Sequence, residues 1–121
     1  MAAAAAAIGA SVTDFSVSPI YPAKTGEVGY HAYAVEFSSS VPPEDCRTFA
    51  RILDEKLCAE NSDYAEHRAA DFAMLAPQIE VLPPGTFANW MKSRGKLGGQ
   101  NKVPRIMLDA SMFQSLLAAR A

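Results

Sequence analysis

Two runs of alternating residues, split by a stretch punctuated with proline and glycine, constrain this chain most. In the first run Thr13, Phe15 and Val17 share one face and Asp14, Ser16 and Ser18 the other. Period two is the mark of a half-buried strand. Residues 30–37 form the second run, with His31, Tyr33, Val35 and Phe37 as its bulkier face. Between them Pro19, Pro22, Gly26 and Gly29 mark a connection. The pattern predicts an antiparallel hairpin whose loop of about ten residues exceeds the usual two to five.

The periodicity then changes to helical. Pro42 and Pro43 suit a first helical turn, where a missing N–H costs nothing, and Glu44 and Asp45 suit the positive end of the helix dipole. Phe49, Ile52, Leu53 and Leu57 make one apolar stripe on a helix running to about Glu60. Asn61 to Asp63 interrupt it, and 64–75 reads as a second helical segment. Residues 78–82 read as a third strand, with Ile79 and Val81 inward and Pro83, Pro84 and Gly85 as its stop. Thr86 is the expected N-cap of a short helix carrying Phe87, Trp90 and Met91, with Gly95 closing it. Residues 106–108 can add a short strand. Asp109 caps a last helix with Met112, Phe113, Leu116 and Leu117 on one side. The expected fold class is α+β: a small antiparallel sheet of about three strands with helices packed on one face. At 121 residues the chain suits one domain with one modest core.

The amino terminus is read separately. Ala2 to Ala7 and Ile8 lack the positive n-region of a signal peptide. Alanine is the best helix former and Gly9 a suitable stop, so residues 1–10 read as the remnant of a preceding helix or linker, with a plain tail as the alternative. No apolar run approaches the roughly 20 residues needed to span a bilayer, which sets membranes aside as partners. Cys46 and Cys58 are twelve positions apart in one expected helix, about 18 Å, too far to bridge. They read as reduced thiols of a cytoplasmic protein. No zinc-type spacing is present, so no metal site is expected. His31 reads as a packed strand residue and His67 as a surface helix residue. Glu36, on the face opposite Tyr33 and Phe37, reads as an exposed strand glutamate or a domain contact. Phe87 and Trp90 read as core.

Charge is unevenly distributed. The net charge is −2, yet residues 81–108 contain no Asp or Glu while holding Lys92, Arg94, Lys96, Lys102 and Arg105, five of the eleven basic residues. Residues 95–105 combine this positive charge with Gly95, Gly98 and Gly99. Glycines let a backbone approach a ligand closely, and successive free N–H groups can cradle an anion. Lysine adds a mobile point charge and arginine a planar fork for phosphate or carboxylate. Pro104 limits the flexibility between Lys102 and Arg105. The segment is either a loop that meets phosphates or a solvated turn. It is not a Walker A loop, because the Gly-Lys-Ser/Thr ending is missing.

Several stretches resemble the C-terminal domain of the auxin-responsive Gretchen Hagen family of acyl-acid amido synthetases. They are residues 12–15, 29–37 and 79–87, the last ending in Gly85-Thr86-Phe87, and the run Gly99-Gln100-Asn101-Lys102-Val103-Pro104-Arg105, in that order along 12–117. Residues 92–99 look more like bacterial relatives than plant hormone enzymes. The resemblance implies an adenylate-forming, luciferase-like ligase. A large N-terminal domain binds ATP and an acyl acid and makes an acyl-adenylate. A small C-terminal domain, here 11–121, then swings, and an amino acid attacks to give an amide. On this basis Lys102 is the expected catalytic residue, touching the ATP phosphates or the adenylate. Gly98, Gly99 and Gln100 would shape the loop around it, and Arg105 either assists or holds the loop in place. ATP, with magnesium, would be bound mainly by the large domain, which these 121 residues do not include. The partners implied are an adenylation domain in cis or trans, the acyl acid and the amino acid. This chain is not expected to be active alone. The competing readings are a stand-alone module for an anion or a nucleic acid, and a degenerate remnant that dimerises through an apolar face. The scarcity of aromatics in the basic segment disfavours nucleic acid.

Overall fold

The computed structural model describes residues 2–20, 29–69, 75–94 and 103–119. Its order is α1 (Ala2–Ala7), β1 (Val12–Ile20), β2 (Tyr30–Phe37), α2 (Pro43–Glu60), α3 (Ser62–Ala69), β3 (Gln78–Leu82), α4 (Thr86–Ser93) and α5 (Ala110–Ala118). The three strands form one sheet in the order β1-β2-β3. The chain is α+β, as its pattern predicts.

Two details of the expected architecture are corrected. The sheet is mixed, not wholly antiparallel: β1 and β2 pair antiparallel, with Val17 opposite Tyr33, but β3 runs parallel to β2, with Val35 opposite Val81. Helices α2 and α3 lie between β2 and β3 in the chain, and a crossover of that length returns the strand in the same direction. The helices also cover both faces, not one. Every residue from Ala32 to Phe37 in the central strand is buried, which requires cover on each side.

The odd-numbered residues of β2 face the first cluster. Tyr33, Val35 and Phe37 join Phe49 and Leu53 of α2 and Ala4 and Ala5 of α1. Phe37 and Phe49 meet edge to face at 5.2 Å, the favoured geometry for two aromatic quadrupoles. The even-numbered residues face the second cluster. Ala32 and Ala34 are small, and the bulk comes from Leu82, Phe87, Trp90, Met91, Met107, Phe113 and Leu116. β1 departs from its half-buried expectation, because its polar face is also covered: Ser16 and Ser18 are buried. β3 faces the α2 side through Ile79 but leaves Val81 exposed, so only one of its two expected inward residues packs.

Helix boundaries follow local chemistry. α2 starts at Pro43 after Pro42, with Glu44 and Asp45 in its first turn. Asn61 ends it and also accepts from Tyr64 N at 3.1 Å, which starts α3. α3 starts at Ser62, two residues before the expected segment, and is described to Ala69; residues 70–74 of that segment lie outside the described set. Asp54 of α2 clamps the pair, accepting from Tyr64 Oη at 2.7 Å and from Arg68 Nε and Nη2 at 2.8 and 2.9 Å. Asp109 caps α5 as predicted, accepting from Ser111 N at 2.8 Å. Gly9 has φ +69° just after α1, matching its expected role as a stop. Cys46 and Cys58 are unpaired, and burial followed by Asp45 pushes the Cys46 thiol up, against a smaller opposing effect of Arg47. A group so shifted stays protonated at neutral pH, which argues against nucleophilic chemistry there.

Candidate functional site

The site expected from sequence is built on residues 95–105. Gly98, Gly99, Gln100 and Lys102 lie outside the described residues, as does Gly95; Arg105 lies within them. The geometry at both ends of the segment is therefore what the structure contributes.

α4 leads into the segment. Its N-cap is Gly85, not Thr86 as expected: Gly85 has φ +92°, a backbone state that glycine reaches without strain. The Thr86 hydroxyl is turned away from capping and donates to Pro83 O at 2.7 Å. The cap comes instead from the middle of the sheet. Glu36 Oε2 accepts from Gly85 N at 3.1 Å, and Oε1 accepts from Phe87 N at 2.8 Å. Glu36 is only 4% exposed, so the expectation of an exposed strand glutamate is overturned. The physical reason is its place on a central strand, whose even-numbered face lies under α4. A signal was available in the sequence, since Glu36 is the one acid in an otherwise apolar run that both faces of a sheet would bury.

The other end of α4 is tied to α5. The buried Trp90 indole donates to Ser115 Oγ at 3.0 Å, and that hydroxyl donates to Met112 O at 2.7 Å. Arg94 ends the helix with its N–H shared between Trp90 O and Met91 O, each at 3.2 Å. Its guanidinium lies 4.8 Å from the Trp90 ring centre. Arg94 is exposed and has no acidic partner among the described residues.

The exit from the segment is fastened to β1. Ser16 Oγ donates to Pro104 O. Val17 N donates to Arg105 O at 2.7 Å, and Met107 N donates to Val17 O at 2.8 Å. These bonds make a parallel bridge between Val17 and Ile106, the local form taken by the expected strand at 106–108. The Arg105 guanidinium pairs with Asp14, donates to Phe15 O at 2.9 Å and lies 4.5 Å over the Phe15 ring. Asp14 and Ser16 belong to the face of β1 that its alternation alone leaves open to solvent. Their contacts at residues 104 and 105 were not foreseen, because the partners are about ninety positions away.

The result is an eight-residue basic segment, 95–102, held at both roots. One root is a helix end placed by Glu36 and Trp90. The other is a strand-like edge placed by β1. Among the described residues no cluster of three or more metal-ligating side chains occurs, and no helix is long and apolar enough to cross a membrane.

The profile of the GH3 family C-terminal domain matches residues 1–111, which takes in the basic segment and both of its roots. The chain belongs to this family. The resemblance drawn from residues 12–117 is thereby borne out. Two solved structures share the fold of this GH3 C-terminal domain. One is a GH3.15 acyl acid amido synthetase, with TM-score 0.70, 23% identity, and coverage of 88% of this chain and 19% of that one. The other is an AtGH3.15 acyl acid amido synthetase in complex with 2,4-DB, with TM-score 0.65, 20% identity, and coverage of 99% and 22%. This GH3 C-terminal domain thus spans about a fifth of the length of those proteins. No curated protein sequence matches it significantly.

Proposed function

We propose that this chain serves as the C-terminal part of an ATP-dependent acyl acid amido synthetase, which makes an acyl-adenylate and passes the acyl group to an amino acid. The observation that carries the reading is the family match across the whole of the basic segment, whose two roots are tied to the sheet. Lys102 supplies a cation where charge develops on pyrophosphate and leaving AMP, the place where a preorganised charge lowers a barrier most. Gly98, Gly99 and Gln100 let the backbone close on the phosphates. Arg105 holds the exit of the segment, since its guanidinium is already committed to Asp14 and Phe15 O. ATP and magnesium are held mainly by the adenylation domain, in cis or in trans, which also receives the acyl acid and the amino acid. The chain by itself is inactive.

The test is reconstitution. The 121-residue chain alone should turn over no ATP, and adding the adenylation domain in trans should restore acyl-adenylate or amide formation. Lys102→Ala should then lower the rate by about a hundredfold, the usual loss for one preorganised charge partner. A rate untouched by Lys102→Ala would overturn the catalytic assignment.

A further inference from the structure

Beyond β1 the sheet ends on the stretch 105–108, held by the Val17–Ile106 bridge. The bonds of that bridge use the Arg105 carbonyl and the Met107 N–H, which therefore point toward β1. The N–H and C=O of Ile106 point the other way, and by alternation so do those of Leu108. Among the described residues none of these groups has a hydrogen-bond partner. The side chains are open as well: Ile106 is 65% exposed and Leu108 77%, while Met107 between them is buried. A free edge of this kind is a template for another strand, and natural edges are blunted by lysine, proline or a bulge. The run Ile106-Met107-Leu108 carries no charge and no proline.

The flanking charges select the occupant. Arg105 and Asp109 stand symmetrically on either side of Met107. A strand with opposite charges at its two ends complements itself when turned antiparallel, whereas parallel pairing would set like charges together. We propose that this edge pairs antiparallel with the same edge of a second copy, about a two-fold axis at Met107. In that register Ile106 lies opposite Leu108 of the second copy, and the pair exchanges N–H to O=C bonds in both directions, which uses every open group. Arg105 lies opposite Asp109 of the second copy, at a non-hydrogen-bonded position where cross-strand side chains come closest. Both have atoms to spare. The side-chain bonds of Arg105 leave from Nη1 and those of Asp109 arrive at Oδ1, so Nη2 and Oδ2 remain. The contact is small, so the dimer is weak. This pairing does not depend on the ligase reading.

The experiment is sedimentation equilibrium of the 121-residue chain at concentrations up to about 1 mM. The mean mass should rise with concentration from that of one chain toward that of two. Ile106→Lys and Leu108→Lys, each at an exposed position, should weaken association about tenfold, because each removes an apolar cross-strand pair twice over. Val81→Lys, at an exposed residue of β3, should leave it unchanged. Register is read by mixing Ile106→Cys with Leu108→Cys under mild oxidation and mapping the disulfides by mass spectrometry. A bridge from position 106 of one copy to position 108 of the other should dominate, since 106–106 and 108–108 lie on longer diagonals. That readout stands even if a lysine variant does not fold, which circular dichroism checks. A chain that stays monomeric throughout overturns the proposal, and protection of the Ile106 and Leu108 amides on adding the adenylation domain would then give the edge to that domain. A dimer insensitive to both lysines, or lost with Val81→Lys, also overturns it.

Discussion

The two faces of the sheet are built from different chemistry. The face toward α1 and α2 is apolar: Tyr33, Val35 and Phe37 meet Phe49, Leu53 and two alanines. The face toward α4 and α5 has an apolar cluster of similar extent, but Ser16, Ser18 and Glu36 are buried on it as well. Hydrophobic contact is non-directional and rewards area, so many arrangements of the first face would serve. Hydrogen bonds are directional and costly to leave unmade, so the second face accepts few arrangements. Ser16 and Glu36 each hold one root of the basic segment. Ser18 does not share this role: among the described residues its hydroxyl has no hydrogen-bond partner. The apolar face supplies stability, and the polar face supplies position.

The largest effect should come from the apolar face. Phe49→Ala should cost about 3–5 kcal/mol, the range for emptying a packed aromatic site, read from urea unfolding. Pyrophosphate binding by the remaining folded protein should be unchanged. A loss of affinity in that folded protein would break the division between the faces.

Next is the clamp between α2 and α3. Asp54→Asn should cost about 1–3 kcal/mol, because Tyr64 and Arg68 lose an ionised acceptor in a largely enclosed place. Hydrogen bonding from Arg68, helped by Tyr64 and opposed by burial, holds the Asp54 carboxyl below its ordinary value of 3.8. Its contribution is therefore present above that value and is lost as pH falls through the lower folded one. Urea midpoints measured down to pH 3 should fall less steeply for Asp54→Asn than for the wild type.

Arg105→Ala should cost about 1 kcal/mol, since its ion pair is half exposed and its stacking on Phe15 is modest. Hydrogen exchange at Met107 and Val17 should quicken, because the edge bridge loses its outer fastening. Unchanged exchange with a tenfold loss of pyrophosphate binding would make Arg105 a ligand instead of an anchor.

The smallest effect belongs to His31, half-buried beside Tyr64 at 6.2 Å between ring centres. Burial lowers its pKa from 6.5. As pH falls below 6.5 the unfolded chain takes up a proton that the folded one refuses, so stability declines until the folded value is passed. His31→Gln should remove that slope in thermal melts between pH 7 and 5. A slope that persists would assign it to another group.

How far the sequence could be read depended on the range of the forces involved. Alternation and helical spacing are local, so β1, β2, β3 and α2 were legible, as were the proline start of α2, the Asp109 cap and the Gly9 stop. The run of glycines and cations, with its order of motifs, was enough to indicate the family. Strand direction was missed, because alternation within residues 78–82 carries no direction; the signal lay in the two helices expected between the second and third strands, the kind of connection a parallel pair needs. The contacts of Asp14, Ser16 and Glu36 with partners some fifty to ninety positions away were not legible, since a polar residue in a strand reads as solvent-facing until another element covers it. The sequence by itself determined which segments pair or coil and where the positive charge collects. Only the tertiary structure decided that Glu36 caps α4 and that Arg105 is neutralised by Asp14, because hydrogen bonds and ion pairs form between groups that folding, and not chain order, brings together.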